Sequence, residues 1–233
     1  MQEPLPVLLV PGLLATPRLY ADQIPALWRF GPVTVADHTR AETMTAIAQH
    51  ILAVAPPRFA LVGLSMGGYV AFEILRQAPN RVAKLALLDT AARPDTPEQS
   101  ERRRRQIETA QGGRYGDIAD LMFPILVHRA RHGDGDLKRL VRTMAEETGA
   151  EAFVRQQRAI MGRVDSRPDL GGIACPTLVL VGEGDELTPP DRAQEMEAGI
   201  AGSKLVVVPD CGHLSTLERP QPVTRALVEW MER

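Results

Sequence analysis

The chain has 233 residues, of which 44% are hydrophobic and 24% charged, with a formal net charge of −2. That size and apolar fraction suit one α/β domain, or one such domain carrying a small insertion. The near-balanced charge offers no basic field for nucleic acid, and the absence of a run of about 18 apolar residues argues against a membrane span.

In chain order, the first unit is the apolar run Leu5 to Val10, closed by Pro11-Gly12, which reads as a buried strand and a turn. A helix is expected from about Pro17 to Trp28, then a short strand from Val33 to Asp37. Between Ala41 and Val54, Met44, Ile47, Ala48, Ile51 and Leu52 fall on one helix face, and Pro56-Pro57 ends the helix. Strand Phe59 to Leu64, Ser65, a helix from Met66 to about Gln77 and strand Leu85 to Asp89 follow. Strands alternating with helices over short connections predict a parallel sheet covered on both faces. Near Ala91 the alternation stops. Residues 91–167 are helical and charged, without a convincing strand, and read as an insertion over the sheet. The rhythm resumes with strand Thr177 to Val181, a helix near Asp191 to Gly199, strand Lys204 to Val208 and a last helix from Pro220 to Glu232. The expected fold is therefore a mostly parallel, doubly wound sheet. Its core is residues 1–90 and 168–233, and residues 91–167 are inserted.

Met1-Gln2-Glu3-Pro4 lacks the basic start and apolar stretch of a secretory signal, so a cytoplasmic location is expected. Cys175 precedes one predicted strand and Cys211 follows the next, which puts them at opposite edges of a parallel sheet. Free thiols are expected, since a strand of about six residues spans about 20 Å.

Gly63-Leu64-Ser65-Met66-Gly67 fits G-x-S-x-G between a strand and a helix. A sharp turn there lifts the serine hydroxyl above the sheet. Glycines on both sides let strand and helix approach. The Met66 N–H opens the helix and points at any oxygen on the attacked carbon. Serine needs a base, and the base needs a partner that holds it. His213, in a loop after the last strand, lies at the same sheet edge as Ser65, whereas His50 lies within a helix and His128 and His132 within the insertion. His38 lies in a loop one strand away. Asp185, after strand Thr177 to Val181, has the matching place for the acid, with Asp89 and Glu183 as rivals. The order Ser65, Asp185, His213 is the one described for α/β-hydrolases.

Four segments carry a family resemblance: Val10-Pro11-Gly12-Leu13-Leu14, Gly63 to Gly68, Cys175 to Gly182, and Gly212 to Pro220. Through them the chain resembles the α/β-hydrolase superfamily over nearly its whole length. The last segment is similar to the histidine loop of the enol-lactonase and carboxylesterase branch. The resemblance implies Ser65 as nucleophile, Asp185 as acid, His213 as base, the Leu13 N–H as second oxyanion donor, and residues 91–167 as a helical cap. Two departures stand out. Pro11-Gly12 replaces a frequent His-Gly, so the oxyanion loop must be held by other groups. The usual leading antiparallel hairpin is missing before the first strand, which implies about six strands. Ser65 argues against the dehalogenase and epoxide-hydrolase branches, which use an aspartate nucleophile, and Tyr115 is the only tyrosine in residues 91–167.

An apolar pocket is expected around Leu14, Leu187 and Leu214, with Met122, Phe123 and Met161 from the insertion. Arg102-Arg103-Arg104-Arg105, preceded by Glu98 and Glu101, reads as a solvated helix face. Its rival reading is recognition of a substrate carboxylate or phosphate, a role open also to Arg158, Arg163 and Arg167. His128 and His132, four apart, read as solvated rather than as metal ligands. No phosphate-binding glycine motif occurs, so no cofactor is expected. The partner expected is a small acyl-bearing molecule, with neither nucleic acid nor membrane. The leading activity is cleavage of a small carboxylic ester, lactone or thioester. The alternatives are carbon–carbon bond hydrolysis, lyase-type or perhydrolase chemistry on the same triad, and a non-catalytic binding member of the fold.

Overall fold

A computed structural model describes residues 3–233. Six strands form one parallel sheet in the order β2-β1-β3-β4-β5-β6. They are β1 (Val7–Val10), β2 (Val33–Val35), β3 (Phe59–Leu64), β4 (Val82–Leu88), β5 (Thr177–Gly182) and β6 (Lys204–Val208). Strands β1, β3 and β5 are buried along their whole length, which is why they read as continuous apolar runs rather than as alternation. The helices are α1 (Ile24–Leu27), α2 (Met44–Val54), α3 (Met66–Gln77), α4 (Pro97–Thr109), α5 (Gly116–Leu126), α6 (Gly135–Thr148), α7 (Ala150–Met161), α8 (Pro190–Gly199), α9 (Ser215–Glu218) and α10 (Pro220–Glu232).

Side chains alternate across the sheet and build two cores. On one face Leu8 and Val10 pack with Met44, Ile47 and Ile51 of α2, Val70 and Ile74 of α3, and Met196 of α8. On the other, Val7 and Leu9 pack with Leu27 of α1 and with Val223, Leu227 and Trp230 of α10. Each such side chain removed from water contributes about 1.5–3 kcal/mol, so the two faces together fix the layer order. Helices α4–α7 lie between β4 and β5 in sequence, and their apolar residues Ile107, Phe123, Val141 and Phe153 join the second core.

The expected helix from Pro17 to Trp28 is broken. The chain forms a 3₁₀ turn at Pro17–Tyr20, the single turn α1, and a second 3₁₀ turn at Trp28–Phe30. Tyr20 is pulled inward, its hydroxyl donating to Val10 O at 2.9 Å, which braces the end of β1. Helix α2 begins later than its apolar spacing suggests because Thr43 caps it, its side chain accepting from Ala46 N. Strand β4 starts earlier, at Val82, and α9 is a helix the sequence pattern does not announce. Both cysteines are free thiols.

Candidate active site

Chain order reverses between β1 and its neighbour β3. β2 lies to one side of β1, and all later strands lie to the other. Crevices at such switch points, beyond the strand C-termini, are where open α/β sheets bind ligands. Two turns meet there. After β3, Ser65 takes φ 55° and ψ −116°, a conformation that L-residues seldom adopt. Its N–H donates to Leu88 O at 2.9 Å, and its carbonyl accepts from the Thr90 hydroxyl at 2.8 Å, so β4 holds the turn from below. A Cβ on Gly63 would overlap the Gly67 carbonyl, and one on Gly67 would overlap Val10 O. The turn therefore requires both glycines. After β1, Gly12 sits against Ser65: a Cβ there would lie 3.3 Å from the serine Cβ.

His213 and Asp185 are brought together. Nδ1 of His213 lies 2.8 Å from Asp185 Oδ2, and both side chains are almost wholly buried. The carboxylate is held on every side. The Leu187 and Thr188 N–H groups donate to Oδ1 at 2.8 and 3.0 Å, and the Thr188 hydroxyl donates to Oδ2 at 2.6 Å. With Oδ2 accepting at Nδ1, the proton sits on Nδ1 and Nε2 is left as the free base. Burial pulls the His213 imidazole toward neutrality, but the Asp185 charge and hydrogen bond outweigh it, and the pKa lies above the ordinary histidine value. Burial likewise favours the neutral acid at Asp185, but is outweighed by the His213 charge and the donors, so that group lies below the usual carboxylate range.

The two rival acids do other things. Glu183 is exposed. Asp89 is fully buried and accepts from Gly182 N at 2.9 Å and from the Ser215 hydroxyl. Burial first, and the neighbouring Asp185 charge second, push it well above the usual carboxylate range. It ties the start of α9 to the end of β5, and so fixes the loop that carries His213. Glu218, also buried, accepts from Gly212 N at 3.0 Å and from His128 N at 2.8 Å on the other side of that loop. The His213 and Leu214 N–H groups both donate to Leu126 O at the end of α5.

Ser65 and His213 border one cavity, along with Leu13, Leu64, Met122, Ile125, Leu187 and Leu214. Of the expected pocket residues, Met122, Leu187 and Leu214 are on the wall. Leu14, Phe123 and Met161 are off it and pack into the core instead. Leu14 is turned inward by its φ of 60°, and Phe123 is 2% exposed. Ser65 Oγ makes no side-chain hydrogen bond among the described residues. Such bonds are often long before substrate arrives. The N–H groups of Leu13 and Met66, beside Ser65, have no protein acceptor among the described residues. That of Met66 is one of the orphan donors at the start of α3.

Two residues that the sequence did not single out hold the loop after β1. His38 Nε2 donates to Gly12 O at 2.9 Å, and Gln156 of α7 accepts from Leu14 N at 3.3 Å, its amide nitrogen 3.1 Å from the same imidazole nitrogen. Both are buried, and burial holds His38 below the ordinary histidine pKa, so it is the neutral donor. This is the support that Pro11 cannot supply. His128 and His132 flank the 3₁₀ turn Arg129–Arg131 rather than sharing a helix face.

The model of the α/β hydrolase family matches residues 7–226. Among solved structures, the chain is similar to a thermophilic esterase from Thermogutta terrifontis, with 35% identity and a TM-score of 0.87 over 98% of this chain and 89% of that one. It shares its fold with an enol-lactonase from Burkholderia xenovorans LB400, at 24% identity and a TM-score of 0.87 over 100% of this chain and 93% of that one. In sequence it is 29% identical over 214 residues to a 2-hydroxy-6-oxononadienedioate/2-hydroxy-6-oxononatrienedioate hydrolase of Paraburkholderia xenovorans, covering 88% of this chain and 73% of the relative. A parallel six-stranded sheet, a strained serine turn at its switch point and a match over nearly the whole chain place this protein in the α/β-hydrolase family, as an enzyme of that fold.

Proposed function

We propose that the protein hydrolyses a small carboxylic ester, lactone or thioester through an acyl-enzyme on Ser65. The observation that carries this reading is the buried His213–Asp185 pair, 2.8 Å apart, whose imidazole borders the same cavity as the serine. Esterase and hydrolase relatives support it.

In the first half-reaction, Ser65 Oγ attacks the acyl carbon as His213 Nε2 takes its proton. The Leu13 and Met66 N–H groups receive the carbonyl oxygen as it becomes negative. Preorganised donors of this kind contribute about 3–4 kcal/mol each where removal has been measured. The imidazolium so formed faces Asp185, which stays ionised and stabilises it. The proton then passes to the departing alcohol or thiol. In the second half-reaction a water oxygen attacks the acyl carbon as Nε2 takes its proton; the acyl–Oγ bond then breaks, that proton returns to Ser65 Oγ, and the acid leaves. A chromogenic butyrate ester tests this. Ser65→Ala is expected to lower kcat by about a thousandfold or more while the variant unfolds at the wild-type urea concentration. Equal turnover by both proteins would overturn the assignment.

A further inference from the structure

The cavity wall carries more positive charge than ester hydrolysis requires. Arg93, Arg102, Arg103, Arg163 and Arg192 border it, with Asp95 as the single carboxylate there outside the Asp185 site. Asp95 is shared. Its Oδ2 accepts from Arg103 Nε at 2.7 Å and its Oδ1 from Arg163 Nη1 at 2.7 Å. The Asp95 side chain is 2% exposed, Arg163 8% and Arg103 15%. Arg103 Nη2 adds a longer bond to Asp95 Oδ1 at 3.4 Å, and the bonds of these two guanidiniums to other groups go to neutral oxygens, namely Gln157 Oε1, Arg93 O and Ile160 O. The trio therefore keeps one uncompensated positive charge, largely withdrawn from water, where an unpaired charge is costly.

Arg93 and Arg192 are already matched, by Glu195 and Asp191. Arg102 is exposed and has no carboxylate within ion-pair reach among the described residues. The arginine run thus divides. Arg104 and Arg105 pair with Glu101 away from the cavity, whereas Arg102 and Arg103 face it. The cavity-lining residues of α4 are Gln99, Arg102, Arg103 and Gln106, spaced as one helix face. That face is wholly polar, whereas Leu13, Met122 and Leu187 give the same cavity an apolar lining. Of the other arginines that the sequence left open, Arg163 is on the wall. Arg158 pairs with Glu42, and Arg167 with Asp165.

We infer that Arg102, with the Asp95-bridged pair Arg103 and Arg163, forms a subsite for a carboxylate carried by the substrate. The preferred substrates are then half-esters or lactone acids, with an apolar segment between the scissile bond and a free carboxylate. This rests on the hydrolytic reading of Ser65 and names its substrate class. The planar guanidinium fork matches a carboxylate bidentately, and the surplus charge selects an anion over a neutral ester.

The experiment compares monomethyl and dimethyl esters of succinic, glutaric and adipic acids, by proton release at constant pH. Wild type is expected to favour the best half-ester over its diester by about tenfold or more in kcat/KM, mainly through KM. Arg102→Gln is expected to lower the half-ester value about tenfold more than the diester value. A wild-type preference for the diester, or an equal fall for both, overturns the subsite. Calorimetric binding to Ser65→Ala separates the two readings. Tighter binding of the half-ester than of the diester, in a protein whose wild type hydrolyses neither, would retain the subsite and remove the esterase reading. Equal or weaker binding of the half-ester removes the subsite.

Discussion

Ser65 pays for its place at the turn with a backbone conformation of φ 55° and ψ −116°. Residues held in such regions cost about 1–3 kcal/mol, and glycine relieves most of that. Ser65→Gly is therefore expected to stabilise the fold by about 1 kcal/mol in urea unfolding, with loss of activity. A destabilised glycine variant would show that the turn stores no strain. The pH profile follows from His213. As a base it must be neutral, and although burial favours that form, the Asp185 charge and hydrogen bond raise its pKa overall. The acid limb of kcat/KM is thus expected above the value of about 6.5 for a free imidazole. Activity should be full above that midpoint and fall below it. Asp185→Asn should move the limb downward and lower kcat by about 10⁴, as loss of the orienting carboxylate does in serine proteases. A limb that does not move would remove Asp185 from the role proposed. The placement of Ser65, His213 and Asp185 at one sheet edge was legible in the sequence because each follows a strand. Gln156 and His38 were not. Gln156 looks like any polar residue of a charged helix, and what makes it matter is a loop 142 residues away.

At the scale of elements, β3 and α3 were readable to the residue, because the strand is apolar throughout and the helix starts at a turn with its own sequence signature. The segment after β1 was not. One helix was expected from about Pro17 to Trp28, but Tyr20, Pro25 and the bond to Val10 O break it into three short turns. Leu14, Phe123 and Met161 show the same limit. Hydrophobicity marks a residue as inward, but whether inward means core or cavity depends on the neighbouring element. The crossing of α3 over β1 is the tightest constraint in the layer. Gly67→Ala would force a Cβ onto Val10 O, and backbone cannot yield there as a flexible side chain would. We expect this substitution to cost about 3 kcal/mol or more in denaturant unfolding. A loss under about 1 kcal/mol would mean that the helix and strand can separate without penalty.

Across the whole molecule, the helices between β4 and β5 touch both halves of the proposed machinery. Leu126 O receives the N–H groups of His213 and Leu214, while Gln156 receives that of Leu14. Arg18 and Thr16, just beyond the loop after β1, also reach Glu147 of α6. Placement of α5–α7 and placement of the proposed oxyanion donors are therefore one problem, which no local sequence window contains. Gln156→Ala is expected to lower kcat on a neutral ester by about tenfold, with a smaller change in KM. An unchanged kcat would show that the loop after β1 stands without α7. The proposed mechanism passes through a covalent acyl-serine at residue 65. Trypsin should release residues 59–76 as one peptide, cut after Arg58 and Arg76, with Ser65 as its sole serine. Mass spectrometry of that peptide, after acid quenching of the protein during turnover of a chromogenic butyrate ester, reads the intermediate directly. A butyryl adduct is expected on Ser65 and is expected to be absent in Ser65→Ala. Steady turnover with no adduct there, or with an adduct on another residue, would contradict it.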